Sequence, residues 1–472
     1  LKGHRQMLKP FELASEAKPS LRQIKWQETE FYALISYGLP VFTGKQYGDG
    51  FTPPAVFWPE EMDTDSWCET VKNAGMNGVV YNCKDYDGFC LWQTQMTDYS
   101  LKKSNWLDGT GDMVKLISQS CKKYGLKFGI SIAPWDRHEQ LFGSGEAYDE
   151  WFCGLLTELL TNYGDIFYVR LDGVSGPSHG KTQNYDWGRY YSVIRRLMPD
   201  AVIAFRGPDV RWYGNDRGVT RPEEWSSVPA WHGVYDDGTS VPSPKGRSSS
   251  VMELDIGSRK AIKHEKDFIW YPCEVFVPMR KHLYFDEEDK YSSKTKDKLL
   301  SLYYNTVGNN SCLMLGIAPN KRGVLDEMDS QILNSLGYDL KVMFWHNLLQ
   351  QAEVTASSEL SALYAAENSV KNERHLFWRP AENDKCPEIT FKLPKKEIFD
   401  KLVLCENISN GQHIEAFSVF LKNEKGKWKE VYSGSAVGYK HICCLKAAEA
   451  DEIKISFPEF RKFMELSYVA LN

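Results

Sequence analysis

The chain has 472 residues, 42% hydrophobic and 25% charged, with 57 Lys+Arg against 63 Asp+Glu and a formal net charge of −6. That length suits two or three domains, or one large barrel with an appendage, and buries a full core without disulfides or metal. The balanced charge gives no case for nucleic acid or an anionic membrane as partner, and no apolar run approaches the ~20 residues of a spanning helix, so a soluble chain is expected.

The opening LKGHRQMLKP carries no apolar signal segment, which leaves export open. Eleven cysteines, irregularly spaced and without C-x-x-C, make neither a disulfide framework nor a zinc site. Cys83, Cys121 and Cys312 lie in apolar runs and read as small buried hydrophobes. Aromatic residues reach 13%, with 15 Trp, a level that suits either sugar stacking or the packing of a large barrel.

In chain order, strand-like runs fall at residues 31–37, 78–83, 126–133, 166–171, 201–206, 268–275 and 312–318. Helical spacing separates them at 63–74, 113–124, 148–163, 187–198, 296–307 and 328–336. Gly125 and Gly164 stand where a left-handed residue ends a helix before the next strand. This alternation means parallel strands, and the lack of G-x-G-x-x-G after the first strand disfavours a dinucleotide fold. Seven visible strands over ~300 residues favour a (β/α)8 TIM barrel, an α/β fold, with one further strand expected between 221 and 256. From 354 onward, short alternating strands separated by Asn, Gly, Lys and Pro turns predict an all-β sandwich. The expected division is a catalytic barrel at 1–349 and a sandwich resembling a carbohydrate-binding module at 350–472. Residues 242–250 read as a surface loop.

In such a barrel, function sits just past the C-terminal strand ends. Those positions hold Ser36, Tyr47 and Asp49; Lys84, Asp85, Tyr86 and Asp87; Trp135, Asp136, Arg137 and His138; Arg170 and Asp172; Arg206, Asp209, Arg211, Trp212, Asn215 and Asp216; and Glu274. Carboxylates, arginines and tryptophans converge without a His/Cys metal pattern, so no metal or cofactor is expected. Trp92 also falls at a strand end where a sugar would lie. Two carboxylates flanking a sugar are what glycoside hydrolysis needs, one as nucleophile and one to protonate the leaving oxygen. Asp172 is the expected nucleophile, because it ends an apolar strand and Gly173 lets the chain turn there. For the acid, the residues offer Asp216, Glu223, Glu224 and Glu274. Glu223 and Glu224 read as charges of a helix's first turn, and Glu274 as the end of a buried strand.

With these segments in hand, the sequence resembles the α-L-fucosidases of glycoside hydrolase family 29, in the branch preferring 1,3- and 1,4-linked fucose. The resemblance runs nearly the whole chain, through FYALISYGLPVFT, KDYDGFCLW, APWDRHE, LDGVSG, GKTQNYDW, GPDVRWYGND, WYPCEV and YYNTVGNNSCLMLGIAPNKRG, then NISNGQHIEAF and VGYKH. It implies a retaining exo-glycosidase acting on a terminal fucose or fucose-like sugar of a glycan. Asp172 would be the nucleophile and Asp216, which stands where relatives have the Glu of Gly-Asn-Glu, the acid/base. Glu274 and Glu223 remain alternatives for that second role. Substrate contacts are expected from Ser36, Tyr47, Asp85, Tyr86, Trp135, Arg170, Trp212 and Glu274.

The departures gather at the pocket. Ser36 replaces a histidine, Asp85 and Tyr86 replace paired histidines, Arg170 replaces a tryptophan, and a late aromatic falls near Leu283. They leave three readings: a fucosidase, a hydrolase of the same fold rebuilt for another sugar, and a sugar-binding pseudoenzyme. In the sandwich, Trp378, Glu406, Gln412, His413 and Tyr439 read either as a sugar site or as structural residues of the domain contact.

Overall fold

The computed structural model describes residues 8–173, 176–178, 180–246 and 252–472. Eight parallel strands form one sheet: β1 (Phe31–Ile35), β2 (Gly78–Lys84), β3 (Lys127–Ile132), β4 (Tyr168–Leu171), β5 (Val202–Ala204), β6 (Arg211–Trp212), β7 (Cys273–Pro278) and β8 (Ser311–Ile317). Their spatial order is β5-β4-β3-β2-β1-β8-β7-β6, and a single parallel bridge between Ala204 and Val210 brings the two edges together as a barrel.

Period-two alternation splits each strand's side chains between two cores. Tyr32, Leu34, Val80, Tyr168, Val202, Phe276 and Met314 fill the barrel. Ala33, Ile35, Val79, Ile130, Val169, Val275 and Leu313 face the surrounding helices instead. Trp26, on the helix Leu21–Gln27, joins the interior core and donates its indole N–H to the Tyr32 hydroxyl at 3.0 Å, plugging the N-terminal end.

The helices start where the sequence supplies an acceptor. Asp63, Asp112, Asp186 and Asp326 each cap a first turn with a carboxylate oxygen, which satisfies an otherwise orphaned N–H. Gly125 ends Met113–Tyr124 with φ +65°, the left-handed stop expected there.

Three strand assignments differ from expectation. The eighth strand is β6, only two residues long, and it precedes the 221–256 stretch. It was hidden because no helix separates it from β5. Within that stretch, Ser227–Pro229 pairs antiparallel with Phe268–Trp270 in a separate ribbon. The run read as 268–275 is therefore two strands, and Glu274 is the second residue of β7 rather than its end. No helix starts at Glu223 or Glu224. The last barrel helix is longer than its apolar spacing showed, Glu327–Met343. Of the expected loop, residues 247–250 lie outside the described residues.

The C-terminal part is a six-stranded antiparallel sheet: β9 (Glu353–Ala356), β10 (Glu388–Glu406), β11 (Ile414–Lys422), β12 (Trp428–Gly434), β13 (His441–Phe460) and β14 (Leu466–Leu471). The order is β9-β10-β13-β11-β12, with β14 also on β10. The long strands β10 and β13 shift register after Lys392 and Phe399, and the sheet covers one apolar core. Val403, Cys405, Ile442 and Ala470 pack into the barrel's outer core. Polar ties reinforce that seam: Lys440 to Glu30 at 2.5 Å, Ser226 N–H to Gln412 Oε1 at 2.8 Å, and Tyr439 N–H to Asn310 Oδ1 at 2.8 Å.

Candidate active site

Three side chains climb the inner face of β4 at period two: Tyr168 at the floor, Arg170 halfway, and Asp172 at the mouth just past the strand. Arg170 Nη1 meets Asp172 Oδ2 at 2.7 Å, and the Tyr86 hydroxyl lies 3.5 Å from the other oxygen, Oδ1. Asp172 is 17% exposed against 4% for Arg170, so the nucleophile candidate reaches solvent and its cation does not. Burial works against the guanidinium's charge, but the Asp172 carboxylate together with Tyr168, Glu274 and Tyr86 outweighs it and holds Arg170 protonated. Two rings flank that cation, Phe205 with its centroid 4.8 Å away and Phe276 at 5.2 Å. Phe205 takes φ +68°, an unusual conformation for a large side chain, and stacks on Trp212 at 4.8 Å.

Gly173, at φ +73°, permits the close approach of Tyr86. A Cβ there would fall 2.0 Å from the phenol ring. Tyr86 continues an aromatic row, with Tyr47 stacked on it at 5.8 Å and Trp135 tilted against it at 5.3 Å. Arg137 covers Trp135 and binds the Gly48 carbonyl at 2.6 Å, while His138 Nδ1 pairs with the Gly50 carbonyl at 2.7 Å. These contacts tie the Tyr47 loop to the loop after β3.

Beneath the row lies a buried polar layer. Lys84 pairs with Asp136 at 2.9 Å, both almost fully buried, and Asp136 Oδ1 accepts the N–H groups of His138 and Glu139. Asp85 is held by the Tyr284 hydroxyl at 2.6 Å, Asn82 at 3.2 Å and the Tyr86 N–H at 2.8 Å. Both its oxygens serve the protein, which makes it chiefly a buttress under Tyr86. Burial raises its pKa, the Tyr284 hydrogen bond opposes that, and the Asp172 charge adds to it. Asp87 is pushed up to about 7 by burial and then by Asp85.

Asp216 sits on the loop after β6, which Asn215 clips by accepting the N–H groups of Arg217 and Val219. Gly214 opens the loop at φ +96°. Desolvation raises the Asp216 pKa, Arg170 opposes this, and Asp172 adds to it, so all three charges feel one another across the mouth. Ser36 Oγ, Trp135 Nε1 and Trp212 Nε1 are buried and make no hydrogen bond among the described residues. Unspent polar groups around a carboxylate pair suit sugar hydroxyls.

Other sequence candidates fall elsewhere. Glu224 is buried between Arg211 and Arg221 and is structural. Its neighbour Glu223 has no hydrogen bond or ion pair to the mouth among the described residues. Glu274 lies inside the barrel, fully buried, with Oε2 accepting the hydroxyls of Tyr32 at 2.6 Å and Tyr168 at 2.5 Å. That is below the mouth, so it does not flank a bound sugar as a strand-end residue would. Trp92 is buried and donates to Glu158 at 2.9 Å, a core residue rather than a sugar platform. Asp209 is spent on Arg22 and Arg195. Val174 and Ser175 of the LDGVSG segment lie outside the described residues. In the C-terminal sheet, Trp378, Glu406, Gln412, His413 and Tyr439 are all buried, and Gln412 and Tyr439 serve the seam.

Sequence reasoning missed Asn82, Phe205, Phe276 and Tyr284. Period two from Val80 would have brought Asn82 inward. Tyr284 pairs with a residue 199 positions away and left no local signal. Among the described residues, no group of three or more His, Cys, Asp or Glu is arranged to hold a metal, and no helix is long and apolar enough to cross a membrane.

Carboxylates, a buried arginine and aromatic rings gathered at the C-terminal mouth of a parallel barrel are the apparatus of a sugar-cleaving barrel enzyme. The family model described as Alpha-L-fucosidase matches residues 16–343. Alpha-L-fucosidase 1 of Arabidopsis thaliana is 32% identical, covering 98% of this chain and 89% of its own length. A Bacteroides ovatus crystal structure classed with the α-L-fucosidases is 33% identical with a TM-score of 0.85, covering 99% of this chain and 76% of that one. A Ruminococcus gnavus family 29 fucosidase, solved with fucose, shares the fold at 24% identity and TM-score 0.85, covering 97% of this chain and 95% of its own. The chain belongs to the α-L-fucosidase family, glycoside hydrolase family 29, and is a glycoside hydrolase.

Proposed function

We propose that the chain is a retaining exo-α-L-fucosidase that removes a terminal fucose from a glycan, with Asp172 as nucleophile and Asp216 as acid/base. The observation that carries this is the placement of Asp172, past β4 at the barrel mouth, with one oxygen paired to Arg170 and the other facing the pocket beside Tyr86. In the first step that oxygen forms a bond to the anomeric carbon while the bond to the leaving oxygen breaks, and Asp216 protonates the leaving group. In the second, Asp216 takes a proton from water, the water oxygen bonds to the anomeric carbon, and the Asp172 ester is released. Raising the Asp216 pKa keeps it protonated to higher pH, as the first step requires.

Residues 1–349 would carry the reaction. Residues 350–472, a sandwich module by this reading, brace the segment that follows β6 through Gln412, which accepts the Ser226 N–H and donates to the Glu224 carbonyl. Tyr47, Tyr86, Trp135 and Trp212 supply ring faces, and Ser36 a free hydroxyl, to the bound sugar. A sugar bearing a carboxylate is not favoured, because Arg170 already serves Asp172.

The test is hydrolysis of an aryl α-L-fucoside. Turnover is expected, lost in Asp172→Ala. In Asp216→Ala it is restored by azide as the glycosyl azide of retained configuration. Failure on the fucoside with turnover of another aryl glycoside would move the chain to a rebuilt pocket. Binding of sugar without any turnover would return the pseudoenzyme reading.

A further inference from the structure

The proposed reaction leaves one polar group beside the nucleophile without a part, the hydroxyl of Tyr86. It lies 3.5 Å from Asp172 Oδ1, the oxygen assigned to attack, and Asp172 is its one hydrogen-bond partner among the described residues. Burial raises the pKa of the phenol and the Asp172 charge raises it further, so the group stands as an O–H donor.

That placement is held from several sides. The Tyr86 N–H donates to Asp85 Oδ1 at 2.8 Å, and the Tyr86 carbonyl accepts the Arg137 N–H at 2.9 Å. Two residues earlier, the Trp135 N–H donates to the Gly173 carbonyl at 3.0 Å. Asp172 itself hangs on β3, its N–H donating to the Ile132 carbonyl at 3.3 Å. The loop after β3 therefore bridges the backbones of Tyr86 and Asp172 and fixes one against the other. The ring is held between Tyr47 and Trp135 and against Gly173, which has no Cβ to keep it away. With backbone and ring both fixed, the hydroxyl is preorganised beside Oδ1.

A donor beside a nucleophile acts with a definite sign, because it stabilises whichever state carries the negative charge. In the first step Oδ1 loses its charge as it bonds to the anomeric carbon. The donor opposes that by as much as the bond is worth in the free enzyme. At 3.5 Å this is little, since a strong O–H···O⁻ bond is ~2.5–2.7 Å long. In the second step charge returns to Oδ1, and a donor that closes on it lowers the barrier. Catalytic hydrogen bonds that are long in a free enzyme often tighten in this way along the reaction.

We propose that Tyr86 is a catalytic residue of the second step, its hydroxyl donating to Asp172 Oδ1 as the glycosyl–enzyme bond breaks. The water oxygen bonds to the anomeric carbon, and the electron pair of the breaking bond goes to Oδ1. Asp216 takes the water proton, and Tyr86 keeps its own. This rests on the assignment of Asp172 as nucleophile and goes beyond it by giving the two steps different needs.

Tyr86→Phe tests this on an aryl α-L-fucoside with a good leaving group, which makes the second step limiting. The variant keeps the ring and its packing and loses the donor. kcat is expected to fall ~10–100-fold, the rate equivalent of a hydrogen bond to a charged group, and KM to fall with it, so that kcat/KM stays within about threefold. The glycosyl-enzyme should accumulate, seen as a burst of released phenol approaching one per chain and as adduct mass on Asp172. Parallel loss of kcat and kcat/KM with no burst would make Tyr86 a binding or packing residue and overturn the proposal. Unchanged kinetics would overturn it too.

If Tyr86→Phe does not fold, 3-fluorotyrosine at the same position supplies a stronger donor of nearly the same size. Hydrolysis of a trapped fluorinated adduct should then run several-fold faster than in the wild type, and an equal or slower rate would refute the role. Should the wild type split another aryl glycoside but no fucoside, the sugar assignment is what has failed, and the same comparison on that glycoside decides the role of Tyr86. If no substrate leaves an adduct on Asp172, both fall.

Discussion

Replacing Gly173 with alanine should damage catalysis more than its single methyl group suggests. The backbone there has φ +73°, which costs a residue with a Cβ ~1–2 kcal/mol. The added Cβ would stand 2.0 Å from Tyr86 Cε1 and 2.7 Å from Cδ1. Comfortable carbon contacts begin near ~3.5 Å, so the ring must retreat by ~1.5 Å. It has little room, being held between Tyr47 and Trp135. Overpacking adds ~1–3 kcal/mol, for a total of ~2–5 kcal/mol. A retreating ring also carries the Tyr86 hydroxyl away from Asp172, and a shift on the order of 1 Å costs ~100-fold in rate. Thermal unfolding and aryl fucoside kinetics measure the two effects separately. In a Tyr86→Ala background the steric part should vanish, leaving only the dihedral cost. Wild-type melting and kcat within about twofold for Gly173→Ala would refute this picture of the pocket.

Two further outcomes follow from the buried charges. Glu224→Ala leaves Arg211 and Arg221 buried without their shared carboxylate, and should cost ~3–5 kcal/mol in urea unfolding; an unmoved midpoint would contradict that role. Asp87, raised to about 7 by burial and by Asp85, favours its protonated form in the fold. Its stabilising contribution is therefore present below the ordinary carboxylate value of 3.8 and lost as pH rises through about 7, a change of up to ~4 kcal/mol. Glu406, also raised to about 7, adds a slope of the same sign. Asp87→Asn should flatten the decline in melting temperature across that window but leave the Glu406 part; an unaltered slope would exclude Asp87 as its source.

The fold was legible where local signals are strong. Strand-like runs alternating with helical spacing, and a helix stop at Gly125, announced the parallel barrel. β6 was not legible, because two residues give no periodicity and the expected helix before it is missing. Glu274 was misplaced for a related reason: one apolar run from 268 onward conceals Pro272, where a surface ribbon gives way to β7. Asp172, Arg170 and Tyr86 could be read from strand ends and the period-two rule. The Tyr284–Asp85 bond and the unusual backbone of Phe205 could not, since each depends on how distant segments close around the mouth. Arg170 illustrates the limit most clearly. Its type, its inward direction and the face it shares with Asp172 were visible; the choice between pairing a pocket carboxylate and binding an acidic group of the substrate was not.

Trapping the glycosyl-enzyme is the most direct test of the central claim. A fluorinated α-L-fucosyl substrate whose intermediate hydrolyses slowly should inactivate the chain one-to-one. Peptide mass mapping should then place the sugar on Asp172. A label on Asp216 or Glu274, or continued turnover with no covalent adduct, would contradict the account.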